Sequence, residues 1–133
     1  MTAILGVSCY FHDAAACLLR DGAVVAAVAE ERLNRTKHYS GFPERAIDYV
    51  LRAARMNPDQ LDGIAFYEKP FWKCDRLLTS IVAAWPRSRA LFAAAMPDWV
   101  HRKLRIEDTL GEFLGAAPPL YYCDHHRSHA AFA

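Results

Sequence analysis

The chain has 133 residues, of which 53% are hydrophobic and 23% are charged, and its formal net charge is +1. This composition is typical of one globular domain and excludes disordered, collagen-like and coiled-coil chains. A net charge near zero disfavours a dedicated nucleic-acid binder, because phosphate neutralisation needs a basic face. The charge is nevertheless uneven, since residues 69–105 hold eight Lys and Arg against two Asp, a local charge of +6.

Three short apolar runs open the chain and predict three strands, at residues 3–9, 14–19 and 23–29. The second and third runs are joined by Asp21-Gly22, a pair that is typical of a tight hairpin turn. Because the runs are continuously apolar, they predict strands that are covered on both faces, as in a sheet between helices.

Residues 30–41 are polar and predict a loop. Pro43 then begins an apolar pattern at helical spacing that continues to Met56, and Pro58 stops the predicted helix. Residues 64–67 and 119–123 predict the fourth and fifth strands, and Asp124 is suited to cap a following helix. A mostly helical insert, at about residues 71–116, lies between these two strands.

This order of elements predicts an α/β fold with a mixed five-stranded sheet, a leading hairpin, flanking helices and parallel strands added through helical crossovers. Such an arrangement matches the ribonuclease-H-like unit of actin-like (ASKHA) phosphotransferases. The sequence stops nine residues after Asp124, inside the last predicted helix, so we expect a truncated domain.

The four cysteines form no C-x-x-C pair, and three of them lie in apolar runs where cysteine behaves as a small buried hydrophobe. They are therefore predicted to be free thiols in a reducing, cytoplasmic compartment. The apolar stretches are interrupted by charged residues and prolines, so they predict neither a signal peptide nor a membrane span.

The clearest chemical feature is the pair of His125 and His129, which follows the fifth predicted strand. On a helix, this i,i+4 spacing places both imidazoles on one face, where they can bind one divalent metal such as Zn or Fe(II). A complete site also needs a third protein ligand, commonly a carboxylate. The alternative interpretation is a polar helix start that binds no metal.

Two further polar stretches follow predicted strands. Asp13 ends a Tyr-Phe-His-Asp stretch and is suited to hold a metal or position a phosphate, or only to form a capped turn. Arg35, Lys37 and His38 are suited to bind anionic substrate oxygens. Their alternative is a solvated loop with weak surface ion pairs.

The basic insert contains Trp72, Trp85 and Trp99. Basic residues with aromatic neighbours occur on nucleic-acid and membrane surfaces. The irregular spacing of these three favours instead a helical lid whose Trp side chains pack inside.

Taken in order, the motifs resemble the NodU-type carbamoyltransferase family over essentially the whole chain. The matching features are Ile-Leu-Gly at 4–6, Phe-His-Asp at 11–13, Asp-Gly at 21–22, Glu-Glu-Arg at 30–32, Arg35, Lys-His at 37–38, Phe-Pro at 42–43, Tyr-Glu-Lys-Pro at 67–70, Asp-Arg-Leu-Leu at 75–78 and the histidine stretch at 125–131. The resemblance implies that residues 1–133 are the N-terminal portion of an actin-like domain similar to the tRNA threonylcarbamoyl-transfer enzymes. A C-terminal YrdC-like domain would be absent from this chain.

The family resemblance also implies a reaction. The full-length enzyme would make carbamoyl adenylate from carbamoyl phosphate and ATP, and would transfer the carbamoyl group to a hydroxyl of a small-molecule or natural-product acceptor. His125 and His129 would hold the metal, Fe(II) or alternatively Zn. Because further ligands are expected after Ala133, the 133-residue chain alone is expected to be inactive.

The same resemblance assigns roles near the opening strands. His12, Lys37 and His38 would line the transfer site, with His12 preferred over His38 as the general base. Lys37 or Arg35 would stabilise charge on the carbamoyl or phosphate oxygens. Asp13 and Arg35 would contact the nucleotide or its phosphates.

Three other functions stay open at this point. An actin-like ATPase or sugar kinase shares the predicted strand order, but the histidine pair disfavours it. A tRNA threonylcarbamoyl transferase is the closer alternative. A binding-only or inactive fragment, acting through the basic insert, is the third. Neither a membrane nor a nucleic acid is expected as a partner.

Overall fold

The computed structural model of the protein describes residues 1–130, except for the side chain of His129. This part of the chain contains five strands and six α-helices. The strands are β1 Ala3–Ser8, β2 Ala15–Arg20, β3 Ala23–Ala29, β4 Gly63–Phe66 and β5 Leu120–Tyr122. The helices are α1 Glu30–Asn34, α2 Glu44–Ala54, α3 Pro70–Ala83, α4 Arg89–Asp98, α5 Ile106–Leu114 and α6 His125–Ala130. A 3-10 turn at Pro58–Gln60 precedes β4, and a π-helical turn at Trp99–Lys103 precedes α5.

All five strands form one mixed sheet in the order β3-β2-β1-β4-β5. The hairpin strands β1, β2 and β3 pair antiparallel, whereas β1, β4 and β5 run parallel. The mixed sheet and its leading hairpin confirm the predicted architecture. Because β1, β4 and β5 point the same way, the segments that follow them leave the sheet at one edge.

The turn between β2 and β3 confirms the Asp-Gly prediction. Asp21 has a φ of 50° and Gly22 a φ of 81°, so both residues adopt the left-handed conformation that a tight hairpin turn requires. The amide of Asp21 donates to the carbonyl of Thr2 at 2.8 Å, and Asp21 Oδ1 accepts from the Thr2 amide at 2.7 Å. These two bonds fix the hairpin beside the start of β1.

The core lies on one face of the sheet. Inward-facing side chains of β1, β2 and β4 are buried together with the apolar sides of α2 and α5, including Leu5, Val7, Leu18, Ile47, Val50, Ile64, Phe66, Ile106 and Leu110. The predicted helix after Pro43 is confirmed as α2, whose apolar residues recur at helical spacing. Within the described residues, no helix is both long enough and apolar enough to cross a membrane.

Two sequence predictions about the opening segment are wrong. Residues 30–41 were expected to be a loop, but Glu30–Asn34 is helical, because the buried Glu30 carboxylate accepts a bond from the Ala46 amide at 2.7 Å and anchors the turn to α2. The strands are also not covered on both faces within the described residues. Edge strand β3 is mostly exposed, with Val24 at 65%, and β1 alternates between buried and half-buried side chains.

The helical insert is present, but its tryptophans do not pack as predicted. Trp99 is buried, whereas Trp72 is 73% exposed and Trp85 is 59% exposed. Helix α5 belongs to the core, because Ile106 and Leu110 are buried there. The insert is therefore one core helix preceded by a largely exposed basic and aromatic helical pair.

The four cysteines are free thiols, as predicted. Cys9 and Cys74 are buried, but Cys123 is exposed, so the expectation of a buried side chain fails there. Cys123 lies one residue beyond β5, where its backbone amide still donates to the Phe66 carbonyl at 2.8 Å. Backbone pairing therefore continues past the strand while the side chain faces outward.

Candidate functional site

Polar residues gather where the three parallel strands end. Segments 9–13, 67–69 and 123–126 follow β1, β4 and β5 directly. In open α/β sheets, ligands bind at the carboxyl edge of such strands. This edge is therefore the first place to seek a functional site.

The loop after β1 is held by backbone bonds to residues 39–40. The amide of Tyr10 donates to the Ser40 carbonyl at 2.6 Å, and the amide of Ala14 donates to the Tyr39 carbonyl at 2.7 Å. Tyr10 adopts a φ of 66°, which turns the chain sharply at the end of the strand. These bonds hold the β1–β2 loop beside the segment that follows α1.

Asp13 and His38 form a pair across these two segments. Their Oδ1 and Nδ1 atoms are 3.2 Å apart, and both side chains are exposed. The backbone amide of His38 also donates to Glu31 Oε2 at 3.1 Å. The structure thus brings together two predicted site residues that are 25 positions apart in sequence.

A cleft of about 570 Å³ opens next to this pair. Tyr10, Lys37, His38 and Arg102 are among its lining residues. Arg102 comes from the π-helical turn, so the insert contributes a cation to the cleft. The basic side chains of Lys37 and Arg102 make this cleft suited to an anionic ligand.

His125 lies at the same edge, at the start of α6. Its ring makes edge contacts with Phe11 and Tyr67, at centroid distances of 5.8 and 5.7 Å. The predicted cap of this helix is present, because Asp124 Oδ1 accepts a bond from the His126 amide at 3.1 Å. Asp124 is thereby engaged at the helix start, and the side chain of His129 lies outside the described residues.

Glu68 is a buried carboxylate in this region that the sequence analysis did not assign. Its side chain is 2% exposed and accepts a bond from Lys73 Nζ at 2.8 Å. It lines a cavity of about 200 Å³ with Lys69, Arg76 and His125. Its position directly after β4 is the signal that could have identified it, since that position belongs to the binding edge of a parallel sheet.

Two groups near Glu68, the Cys9 thiol and the Tyr67 phenol, favour their neutral forms. Burial, followed by the nearby charge of Glu68, raises the pKa of the Cys9 thiol above its ordinary value. The same two causes raise the pKa of Tyr67, whose hydroxyl donates to the Cys9 carbonyl at 3.0 Å. Neither group is therefore suited to act as an anionic nucleophile at neutral pH.

The other predicted residues lie around these features. His12 is exposed and packs its ring on Phe11 at a centroid distance of 4.0 Å. Phe11 also receives the Lys73 ammonium on its ring at 4.3 Å and so connects the two parts of the edge. Arg35 ends α1 in the left-handed conformation, with its amide donating to the Glu31 carbonyl at 3.1 Å.

Comparison with known proteins identifies the class. The family model described as Carbamoyltransferase N-terminus matches residues 3–133. The chain therefore belongs to the carbamoyltransferase N-terminus family, which confirms the resemblance inferred from its motifs.

Particular relatives support this membership. An uncharacterized protein of Synechocystis sp., sll1178, is 44% identical over an alignment of 141 positions. The alignment covers 100% of this chain and 23% of that protein. Nodulation protein NolNO of Sinorhizobium fredii is 34% identical over 124 residues, covering 91% of this chain and 17% of that protein. The chain thus spans less than a quarter of the length of these two relatives.

Proposed function

We propose that this chain is the first part of an O-carbamoyltransferase. In the full-length protein, carbamoyl phosphate, ATP and water give carbamoyl adenylate, phosphate and pyrophosphate, and an acceptor hydroxyl then attacks the carbamoyl carbon, loses its proton and releases AMP. The observation that carries this proposal is the family match over residues 3–133. The cationic cleft beside the carboxyl edge supports it, because the carbamoyl donor is anionic.

The proposed domain arrangement extends beyond this chain. The leading hairpin and the strand order β3-β2-β1-β4-β5 support a ribonuclease-H-like, actin-like domain of the ASKHA type. Formation of carbamoyl adenylate is assigned to a YrdC-like domain in the remaining sequence. The acceptor is proposed to be a small-molecule hydroxyl, because the Glu-Glu-Arg and Tyr-Glu-Lys-Pro segments follow the pattern of that branch of the family.

The residues after β1 are proposed to serve the transfer step. His12 is assigned as the base that takes the acceptor proton, since it is exposed at the binding edge while His38 is paired with Asp13. Lys37 and Arg35 are assigned to the anionic oxygens of the donor, and Lys37 lines the cleft directly. Asp13, whose carboxylate is paired with His38, is assigned to position the phosphates of the donor.

His125 and His129 are proposed as metal ligands, with Fe(II) the expected ion and Zn the alternative. The half-buried position of His125 at the binding edge fits a metal-binding imidazole, and α6 carries both residues at i,i+4. The chemistry supplied by a bound ion there is Lewis-acid polarisation of a donor oxygen. A further ligand is expected from sequence outside this chain.

The transfer step is tested in the full-length protein with the variant His12→Ala. With carbamoyl adenylate and an added polyol acceptor, we expect the rate of AMP release to fall by about 10²–10⁴-fold. This factor is the usual contribution of a general base. Formation of carbamoyl adenylate is expected to continue, because the base is not needed for that step.

His101→Ala is the matched control, since this histidine is exposed on the π-helical turn. It is expected to transfer at the unmodified rate. If His12→Ala transfers as fast as His101→Ala, the assignment of His12 as the base is wrong.

A further inference from the structure

Three metal-ligating side chains from different segments meet beside the cationic cleft. Asp13, Glu31 and His38 each offer one ligand atom, and these atoms all lie within 4.8 Å of one another. We propose that they form a divalent-cation site separate from the histidine pair of α6. The proposal stands on this geometry alone and does not require carbamoyl transfer.

The backbone segments that carry the three side chains are held together by independent contacts. Asp13 precedes Ala14, whose amide is bonded to Tyr39, so the β1–β2 loop is tied to the loop carrying His38. Glu31 follows Glu30, whose carboxylate is anchored on the Ala46 amide and whose own amide donates to the Ala14 carbonyl at 2.8 Å. A site held in this way needs little reorganisation to receive an ion.

The negative charge of the two carboxylates in this cluster favours the binding of a cation. Asp13 and Glu31 place two carboxylates close together, and the Arg32 guanidinium reaches Glu31 only at 3.8 Å from a largely exposed side chain. Such an exposed ion pair contributes little stability. A divalent ion would neutralise both carboxylates and accept the lone pair of an imidazole nitrogen of His38.

The donor set indicates the class of ion. Two carboxylate oxygens and one imidazole nitrogen suit Mn²⁺, Fe²⁺ or Zn²⁺ better than Mg²⁺, which prefers oxygen ligands and retained waters. The ligands are exposed or half-buried, so one side of the ion stays open. His38 also lines the cleft together with Lys37, so an anionic oxygen bound there could complete the coordination.

The test is a Mn²⁺ titration followed by electron paramagnetic resonance of the free ion. It uses the double variant His125→Ala/His129→Ala, so that the histidine pair of α6 does not contribute. We expect one bound Mn²⁺, with line broadening in nuclear magnetic resonance spectra confined to amides of residues 10–14 and 31–40. Zn²⁺ is expected to displace it at lower concentration than Mg²⁺.

In the same background, Glu31→Gln and Asp13→Asn are each expected to weaken Mn²⁺ binding by about tenfold or more. Glu44→Gln is the matched control, because this exposed carboxylate begins α2 outside the cluster. His38→Gln, on an exposed segment, tests the same site if Glu31→Gln does not fold by circular dichroism.

Equal Mn²⁺ affinity in Glu31→Gln and Glu44→Gln would overturn the proposal, as would the absence of binding in the double variant. Neither result decides whether the full-length protein transfers a carbamoyl group, which is measured separately through AMP release.

Discussion

At the level of single residues, burial controls the protonation of side chains near the β1–β2 loop. Burial is the main cause that raises the pKa of Tyr10 from 10.0 to about 12. The folded protein therefore favours the neutral phenol, whereas the unfolded chain ionises it near its ordinary value. The contribution of Tyr10 to the free energy of unfolding is therefore fully present below pH 10 and is lost between pH 10 and about 12.

The variant Tyr10→Phe tests this pH dependence. We expect its free energy of unfolding, measured with urea, to decline less between pH 10 and about 12 than that of the unmodified chain. Tyr121→Phe removes an exposed phenol from β5 and is the matched control. A decline in Tyr10→Phe as steep as in the unmodified chain would contradict the assignment of this loss to Tyr10.

Single residues also show what the sequence could reveal about the site. Asp13 and His38 could be singled out because each belongs to a polar stretch that follows a predicted strand, but their contact needed the fold that joins the two loops. The position of Glu68 after β4 could have marked it as a site residue, but a carboxylate beside a lysine predicts exposure and not burial. Its burial depends on Lys73 one turn into α3, and that geometry is not readable from spacing alone.

At the level of secondary-structure elements, β1 and β2 approach closely at Gly6. A Cβ atom at this position would lie 2.6 Å from Cys17 Sγ, the cross-strand neighbour. Glycine costs strand stability through its backbone freedom. Its presence here is explained by the bulk of the sulfur opposite it.

Gly6→Ala is therefore expected to destabilise the chain by about 1–3 kcal/mol through overpacking. In the Cys17→Ala background, the same change is expected to be neutral or stabilising, because the clash is gone and the alanine restricts the unfolded chain. A double-mutant cycle of urea unfolding measures this coupling. Additive effects of the two changes would contradict the close-approach explanation.

The elements differ in how well the sequence predicted them. The hairpin turn and α2 followed from local chemistry, namely Asp21-Gly22 and the apolar spacing after Pro43. Helix α1 was missed because its residues are polar and its stability comes from the tertiary bond between Glu30 and Ala46. The exposed face of β3 was missed because small apolar side chains do not reveal whether a strand lies at the edge of a sheet.

At the level of the whole molecule, two cavities lie at one edge of the sheet. The cationic cleft lies beside the β1–β2 loop, and the cavity with Glu68 and His125 lies beside β4 and β5. Phe11 contacts His12 and His125 and receives Lys73, so one side chain connects the segments that follow β1, β4 and β5. The mixed sheet with parallel strands was predicted from sequence, whereas the strand order and the cation from Arg102 required the structure.

The central claim, that this chain belongs to an enzyme using a carbamoyl donor activated by ATP, is tested most directly by product analysis. The full-length protein is incubated with ¹³C-labelled carbamoyl phosphate and ATP, and the products are identified by mass spectrometry. The account predicts phosphate, pyrophosphate and ¹³C-labelled carbamoyl adenylate, with the adenylate and pyrophosphate formed only when both substrates are present. Conversion of ATP to ADP at the same rate with or without carbamoyl phosphate would contradict it and would indicate an actin-like ATPase or kinase instead.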